Sequence, residues 1–196
     1  KIIKIKDGYL LKMHSENQFL ELFPHIIQVD EQGNEIWRKE FHYYQSSIKR
    51  ALNSDTAIVF TDFTLLDANT ILTTFTKRDT VIPTYMGELA FIEFDLTTGN
   101  EVAYHEVKSD FYLENRIQLF VNQYGEIITT GYCAPNDTTI NHGSELYFGK
   151  FSKDYEVITE KHYGDTAANE IDHTALLTSD GGSLIAGHYF NPNIGN

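Results

Sequence analysis

A short turn rich in glycine, aspartate or asparagine, followed at once by an apolar strand, occurs four times in this chain. That recurrence constrains the fold more than any other feature. It reads Asp7-Gly8-Tyr9-Leu10-Leu11, Asn69-Thr70-Ile71-Leu72, Tyr124-Gly125-Glu126-Ile127-Ile128 and Asp180-Gly181-Gly182-Ser183-Leu184-Ile185. Matching Leu10, Ile71, Ile127 and Leu184 gives spacings of 61, 56 and 57 residues. A period of this size points to an architecture of stacked supersecondary units, each unable to bury its apolar surface alone.

Between these turns the same order of strand candidates returns, with the alternation and the β-branched and aromatic enrichment of half-buried strands. First strands are read at Ile2 to Lys6, Ala57 to Leu66, Arg116 to Val121 and His173 to Thr178. Second strands are Tyr9 to Met13, Thr70 to Phe75, Glu126 to Tyr132 and Ser183 to Tyr189. Third strands follow at His25 to Val29, Leu89 to Phe94 and Glu145 to Phe151, and fourth strands at Glu35 to Phe41, Glu101 to Val107 and Glu156 to Tyr163. Helical periodicity is weak throughout; its best window, Tyr43 to Asn53, reads as a loop with one turn at most.

Four antiparallel strands per unit at a near-constant period predict an all-β chain, a β-propeller with four-stranded blades. The blades are placed at about 1–56, 57–114 and 115–171, with an incomplete fourth at 172–196, so that about three and a half are present. The expectation is a part of one propeller domain. A closed ring of six to eight such blades would take on the order of 340 to 460 residues.

Blade geometry puts the links between first and second strands and between third and fourth strands on one face. These are short and turn-like, as at Asp30-Glu31-Gln32-Gly33-Asn34, Asp95-Leu96-Thr97-Thr98-Gly99-Asn100 and Ser152-Lys153-Asp154-Tyr155. The remaining links are long: His14 to Pro24, Tyr43 to Thr56, Thr76 to Glu88, Lys108 to Asn115, Cys133 to Ser144 and Gly164 to Asp172. Variable loops on a repeating scaffold are where binding groups usually stand. The candidate ligand-binding face therefore carries Tyr43, Tyr44, Tyr85, Asp110, Phe111, Tyr112, Asp137, Asp165 and Glu170, a mixture suited to sugar, peptide or cation.

Charge narrows the partners. With 15 basic against 28 acidic residues and a formal charge of -13, the chain lacks the clustered basic surface that nucleic acid or an anionic membrane requires. No apolar run approaches the roughly 18 to 20 residues of a spanning helix, so direct membrane insertion is not expected. Cys133 is the single cysteine, which excludes an internal disulfide and a multi-thiolate zinc site. It is read as a small packed residue.

No motif assigns a reaction. Asp30, Asp95 and Asp154 lack the alternating acidic pattern of a calcium loop and are read as turn formers, and the eight histidines show no metal-ligand spacing. No metal and no cofactor are predicted. The paired strings Glu40-Phe41-His42-Tyr43 and Glu160-Lys161-His162-Tyr163 are read as a structural repeat at the ends of fourth strands. Gly-x-Ser-x-Gly is absent, and Trp37 is the sole tryptophan, with Ala103 and Ile158 taken as its equivalents. The ends of the first strands, Leu65-Leu66, Val121-Asn122 and Thr178-Ser179, are apolar or mixed, which favours a binding module over an enzyme with converging catalytic side chains.

Three strings add a resemblance: Asp30-Glu31-Gln32-Gly33-Asn34-Glu35-Ile36-Trp37, Tyr163-Gly164-Asp165, and Thr178-Ser179-Asp180-Gly181-Gly182 leading into Ser183-Leu184-Ile185-Ala186-Gly187. Together they look like the repeat of secreted bacterial β-propellers of the type nine secretion pathway. The middle unit departs from it, with Asp67-Ala68-Asn69 in place of Asp-Gly-Gly and no tryptophan in its fourth strand. The resemblance implies a secreted or cell-surface location and a scaffold, and it carries over no catalytic residues. The function expected is a noncatalytic module engaging a protein or glycan partner, within a larger surface complex, through its long-loop face. The alternative is a carbohydrate-active hydrolase or lyase acting from the central funnel.

Overall fold

Sheets, and no helices, make up the described residues of the computed structural model, which are 1–16, 22–41, 56–79, 88–109, 111–113, 117–135, 145–164 and 169–190. The chain is all-β, in four consecutive antiparallel sheets. The first is β1 (Ile2–Ile5), β2 (Gly8–Glu16), β3 (Leu22–Val29) and β4 (Glu35–Glu40), paired in chain order. The second is β5 (Thr56–Leu65), β6 (Thr70–Asp79), β7 (Glu88–Asp95) and β8 (Glu101–Glu106). The third contains β9 (Phe111–Leu113), β10 (Gln118–Val121), β11 (Ile127–Pro135), β12 (Glu145–Phe151) and β13 (Val157–Tyr163), and the fourth is the hairpin β14 (Asn169–Leu177) with β15 (Ser183–Phe190).

The strands expected from the alternation are all present, eight of the fourteen longer by one to four residues at the long-link end and five shorter than expected. β9 is an addition. It continues the line of β10 along β11, pairing Leu113 with Cys133 and Phe111 with Pro135, inside a segment read as loop. The window Tyr43 to Asn53 lies outside the described residues.

The repeat itself is in a different register from the sequence match. Each fourth strand carries a bulge, at Ile36, Val102 and Ile158, opposite the step into Val29, Phe94 and Phe151 of the third strand, and the second-strand partners of those residues are Tyr9, Ile71 and Ile127. In the fourth sheet, Thr178 N donates to Gly182 O at 2.9 Å and Gly181 N to Thr178 O at 3.0 Å, the same bonds that Asn122 makes to Glu126 and Gly125 at 3.0 Å each. Ser183, not Leu184, therefore matches Ile127. The structural spacings are 62, 56 and 56, and Leu10 and Leu184 were each displaced by one residue. Because side chains alternate, that slip reverses the face on which each residue stands.

With the register set, each sheet has a leading face toward the sheet before it and a trailing face toward the sheet after it. β7 shows both. Ile92 and Phe94 pack with Ile5, Leu10 and Ile26 of the first sheet, while Leu89 and Phe91 pack with Leu119, Ile127 and Tyr147 of the third. Its burial is accordingly almost unbroken, from Leu89 through Ile92. Phe41 seals the first of these layers, stacked on Phe60 at 4.6 Å and edge-on to Phe75 and Phe94.

First strands of successive sheets are bonded directly. Asp62, 6% exposed beside a bulge in β5, accepts Leu119 N–H at 3.0 Å and Lys1 Nζ at 2.7 Å. Gln118 Oε1, one repeat further on, accepts Ala175 N–H at 2.9 Å. Both acceptors reach an amide 57 residues ahead, so one device ties the second sheet to the third and the third to the fourth.

Candidate functional site

Neighbouring short turns touch each other at one end of the stack. Trp37 Nε1 donates to Leu96 O at 2.9 Å, and its ring lies against Gly99, where an added Cβ would stand 2.8 Å from the indole. Gln123 Nε2 donates to Ser179 O at 3.1 Å, and Tyr124 lies over Gly181. The long links leave from the opposite end, so those of different sheets share it.

Of the residues expected there, Tyr43, Tyr44, Tyr85, Asp110, Asp137 and Asp165 lie outside the described residues. Tyr112 is in β9 opposite Ala134, and Glu170 is in β14 opposite Tyr189. Phe111 is the member whose surroundings are visible. Its ring sits 5.9 Å from Tyr147 and 5.2 Å from His162, on the leading face of the third sheet. Beneath it Glu160 Oε1 accepts the Tyr147 hydroxyl at 2.5 Å and the Ser109 hydroxyl at 2.6 Å, and Ser109 Oγ also accepts Phe111 N–H at 3.1 Å. Glu145, 2% exposed, is paired with His162 Nδ1, whose side chain is half exposed.

This cluster clamps β9 onto the sheet and presents the Phe111 and His162 rings at its rim. Burial, followed by the negative charge of Glu160, pushes the Tyr147 phenol well above its ordinary value, which leaves it a neutral donor. Ser109 donates to the Glu160 carboxylate rather than to an imidazole. Sequence reasoning missed Ser109, Glu145, Tyr147 and Glu160 as one group. Glu145, Tyr147, Glu160 and His162 alternate along β12 and β13 on one face, a signal that needed the register of the two strands. That register puts Glu40, paired with His25, and not His42 at the position equivalent to His162, paired with Tyr147, so the two Glu-x-His-Tyr strings are not structural equivalents.

Between the second and third sheets an open cleft of about 520 Å³ runs from the end of β8 to the β12–β13 turn, lined by His105, Glu106, Lys108, Asp154, Tyr155, Glu156 and Val157. The register equivalents of Trp37 are Ala103 and Thr159, the latter correcting Ile158. Where the first joint has tryptophan over glycine, the second has alanine on β8 and Tyr155 in the turn. Tyr155 is the one non-glycine residue with a positive φ, 65°, among the described residues. Its ring stacks on His105 at 3.7 Å, and Glu93 Oε1 accepts both its hydroxyl at 2.5 Å and His105 Nε2 at 2.9 Å.

The turn aspartates behave as expected in two of three cases. Asp30 Oδ1 caps Gln32 N and Asn34 N at 2.9 and 2.8 Å, and Asp95 Oδ1 caps Thr98 N at 2.8 Å. The third turn uses Ser152 Oγ instead of Asp154, accepting from Asp154 N and Glu156 N at 3.2 Å each. Cys133 is fully buried between the second and third sheets. Among the described residues no group of three or more His, Cys, Asp or Glu side chains is placed to hold a metal ion, and no helix is long and apolar enough to cross a membrane. No family model and no curated protein matches the sequence.

Proposed function

We propose that the stacked sheets are blades of a β-propeller and that the chain is a binding module of the secreted or bacterial cell-surface kind, engaging a protein or glycan through its long-link face. The observation that carries this reading is the gathering of the short turns at one end, through Trp37 on Gly99, Gln123 on Ser179 and Tyr124 on Gly181, which leaves the long links together at the other. The first-strand bonds from Asp62 and Gln118 fit a radial stack with its first strands innermost. Secretion rests on the resemblance of the repeat. Phe111 and His162 offer the ring surface and hydrogen-bonding edge that sugars and peptide side chains use.

The test is a glycan array and a panel of surface proteins, read with Phe111→Ala/His162→Ala and with Tyr124→Ala. Loss of affinity by tenfold or more, about 1.4 kcal/mol, is expected for the first variant and none for the second. Equal losses in both, or turnover of a bound glycan, would remove this reading.

A further inference from the structure

The geometry points to a second binding site, in the cleft between the second and third sheets. It takes a small zwitterion, a free amino acid or dipeptide, with the ligand carboxylate at Lys108 and its ammonium group at Asp154 and Glu156. The cleft measures about 520 Å³, within the roughly 300–1,000 Å³ of small-molecule sites. It lies at a joint inside the stack, where both walls are made by complete sheets. Lys108 stands on the second-sheet side, just past β8, while Asp154 and Glu156 stand on the third-sheet side, at the turn between β12 and β13.

Two observations set this cleft apart from an ordinary charged surface. The first is that its unlike charges do not satisfy one another. Lys108, Asp154 and Glu156 line one space, yet among the described residues none of these three side chains makes an ion pair. Elsewhere lysines close onto a nearby carboxylate, as Lys4 does on Glu31 at 3.0 Å and Lys150 on Glu126 at 2.8 Å. A ligand with one charge of each sign would meet both walls at once. The second observation is the residue that shapes the cleft. In the turns between third and fourth strands, the position before the closing residue is Gly33 at φ 87°, Gly99 at φ 67° and Tyr155 at φ 65°. A tyrosine where two equivalent turns use glycine is a strained choice. The ring it adds is stacked on His105, and Glu93 Oε1 holds both side chains, so the two rings form a fixed side of the cleft. A site organised before its ligand arrives loses less on binding. None of the lining residues belongs to the group around Phe111 and His162, so the inference does not rest on that reading.

The test is calorimetric titration of the 196-residue chain with the dipeptide Gly-Ala, its N-acetyl form and its C-terminal amide. Gly-Ala should bind saturably, and either block should weaken it by tenfold or more. Lys108→Ala should then bind Gly-Ala and the amide alike, because the carboxylate no longer has a partner. Asp154→Asn/Glu156→Gln should likewise bind Gly-Ala and the N-acetyl form alike. A variant that only loosened the joint would weaken all three forms equally. Such a uniform loss, blocked forms that bind as tightly as Gly-Ala, or no saturable binding of Gly-Ala overturns the inference.

Discussion

Trp37 and Tyr155 solve one packing problem in opposite ways. At the first joint the aromatic ring comes from the fourth strand and the next turn supplies Gly99, at φ +67°. At the second joint the strand supplies Ala103 and the turn supplies a tyrosine in the left-handed region, which costs an L residue roughly 1–2 kcal/mol. Gly99→Ala should therefore destabilise by about 2 kcal/mol, since it adds both strain and a clash with the indole. Combined with Trp37→Ala, whose own cost is about 2–3 kcal/mol, the pair should fall short of the sum by about 1 kcal/mol in urea denaturation. Strict additivity would mean that the ring and the turn are not coupled. Tyr155→Gly should relieve the strain yet remain destabilising by about 2 kcal/mol, because a buried ring and its bond to Glu93 are lost.

Among the elements, strand order was readable from alternation and turn chemistry, and Glu145–Phe151 agrees at both ends. What escaped the sequence was whatever depends on register. The first hairpin closes through Lys6 and Asp7 alone, one residue shorter than its counterparts, and this displaced Leu10. Likewise the alternation starts the fourth strand of the third sheet at Glu156, whereas Val157 is the residue that meets Phe151 as Glu35 meets Val29, so Thr159 and not Ile158 corresponds to Trp37. β9 escaped because three residues are too few to show a period. Of the candidate site, Phe111 was found by its place in a long link, whereas Glu160 and Glu145 read as ordinary strand carboxylates until β12 and β13 were paired. Asp62 and Gln118 were just as silent, since one polar residue in an apolar strand does not say which amide it meets. Asp62→Ala should cost about 2–4 kcal/mol, leaving a buried amide without its acceptor and Lys1 without its counter-charge, and should speed exchange of the Leu119 amide. Gln118→Ala should act on the Ala175 amide in the same way. If each variant left its named amide as protected as before, the bonds would not be what holds the sheets.

For the molecule as a whole, acid should be the weak side. Asp30, Asp95 and Asp180 are held below their ordinary range by hydrogen bonds, led by those from the side chains of Asn34, Thr98 and Thr178 respectively. Folding lowers their proton affinity, so the stability they contribute is complete above the ordinary carboxylate range and is lost as pH falls through the folded values. The thermal midpoint should drop between pH 5 and pH 3 (about the range in which unfolded aspartates titrate), and the triple Asp→Asn variant should drop less. A drop of the same size in both would place the acid sensitivity elsewhere. The first-strand bonds carry a mechanical consequence. Asp62 and Gln118 each join adjacent sheets, and Lys1 Nζ, 3.1 Å from Leu119 O, reaches the third sheet as well, so a load applied at Lys1 and at the fourth sheet runs through the Lys1–Asp62–Leu119 cluster and then Gln118 in series. Pulling in an optical trap should then release the sheets one at a time, in steps of about 190 Å of contour length per 56-residue unit. A single rip of the whole chain would show instead that the stack bears force as one body.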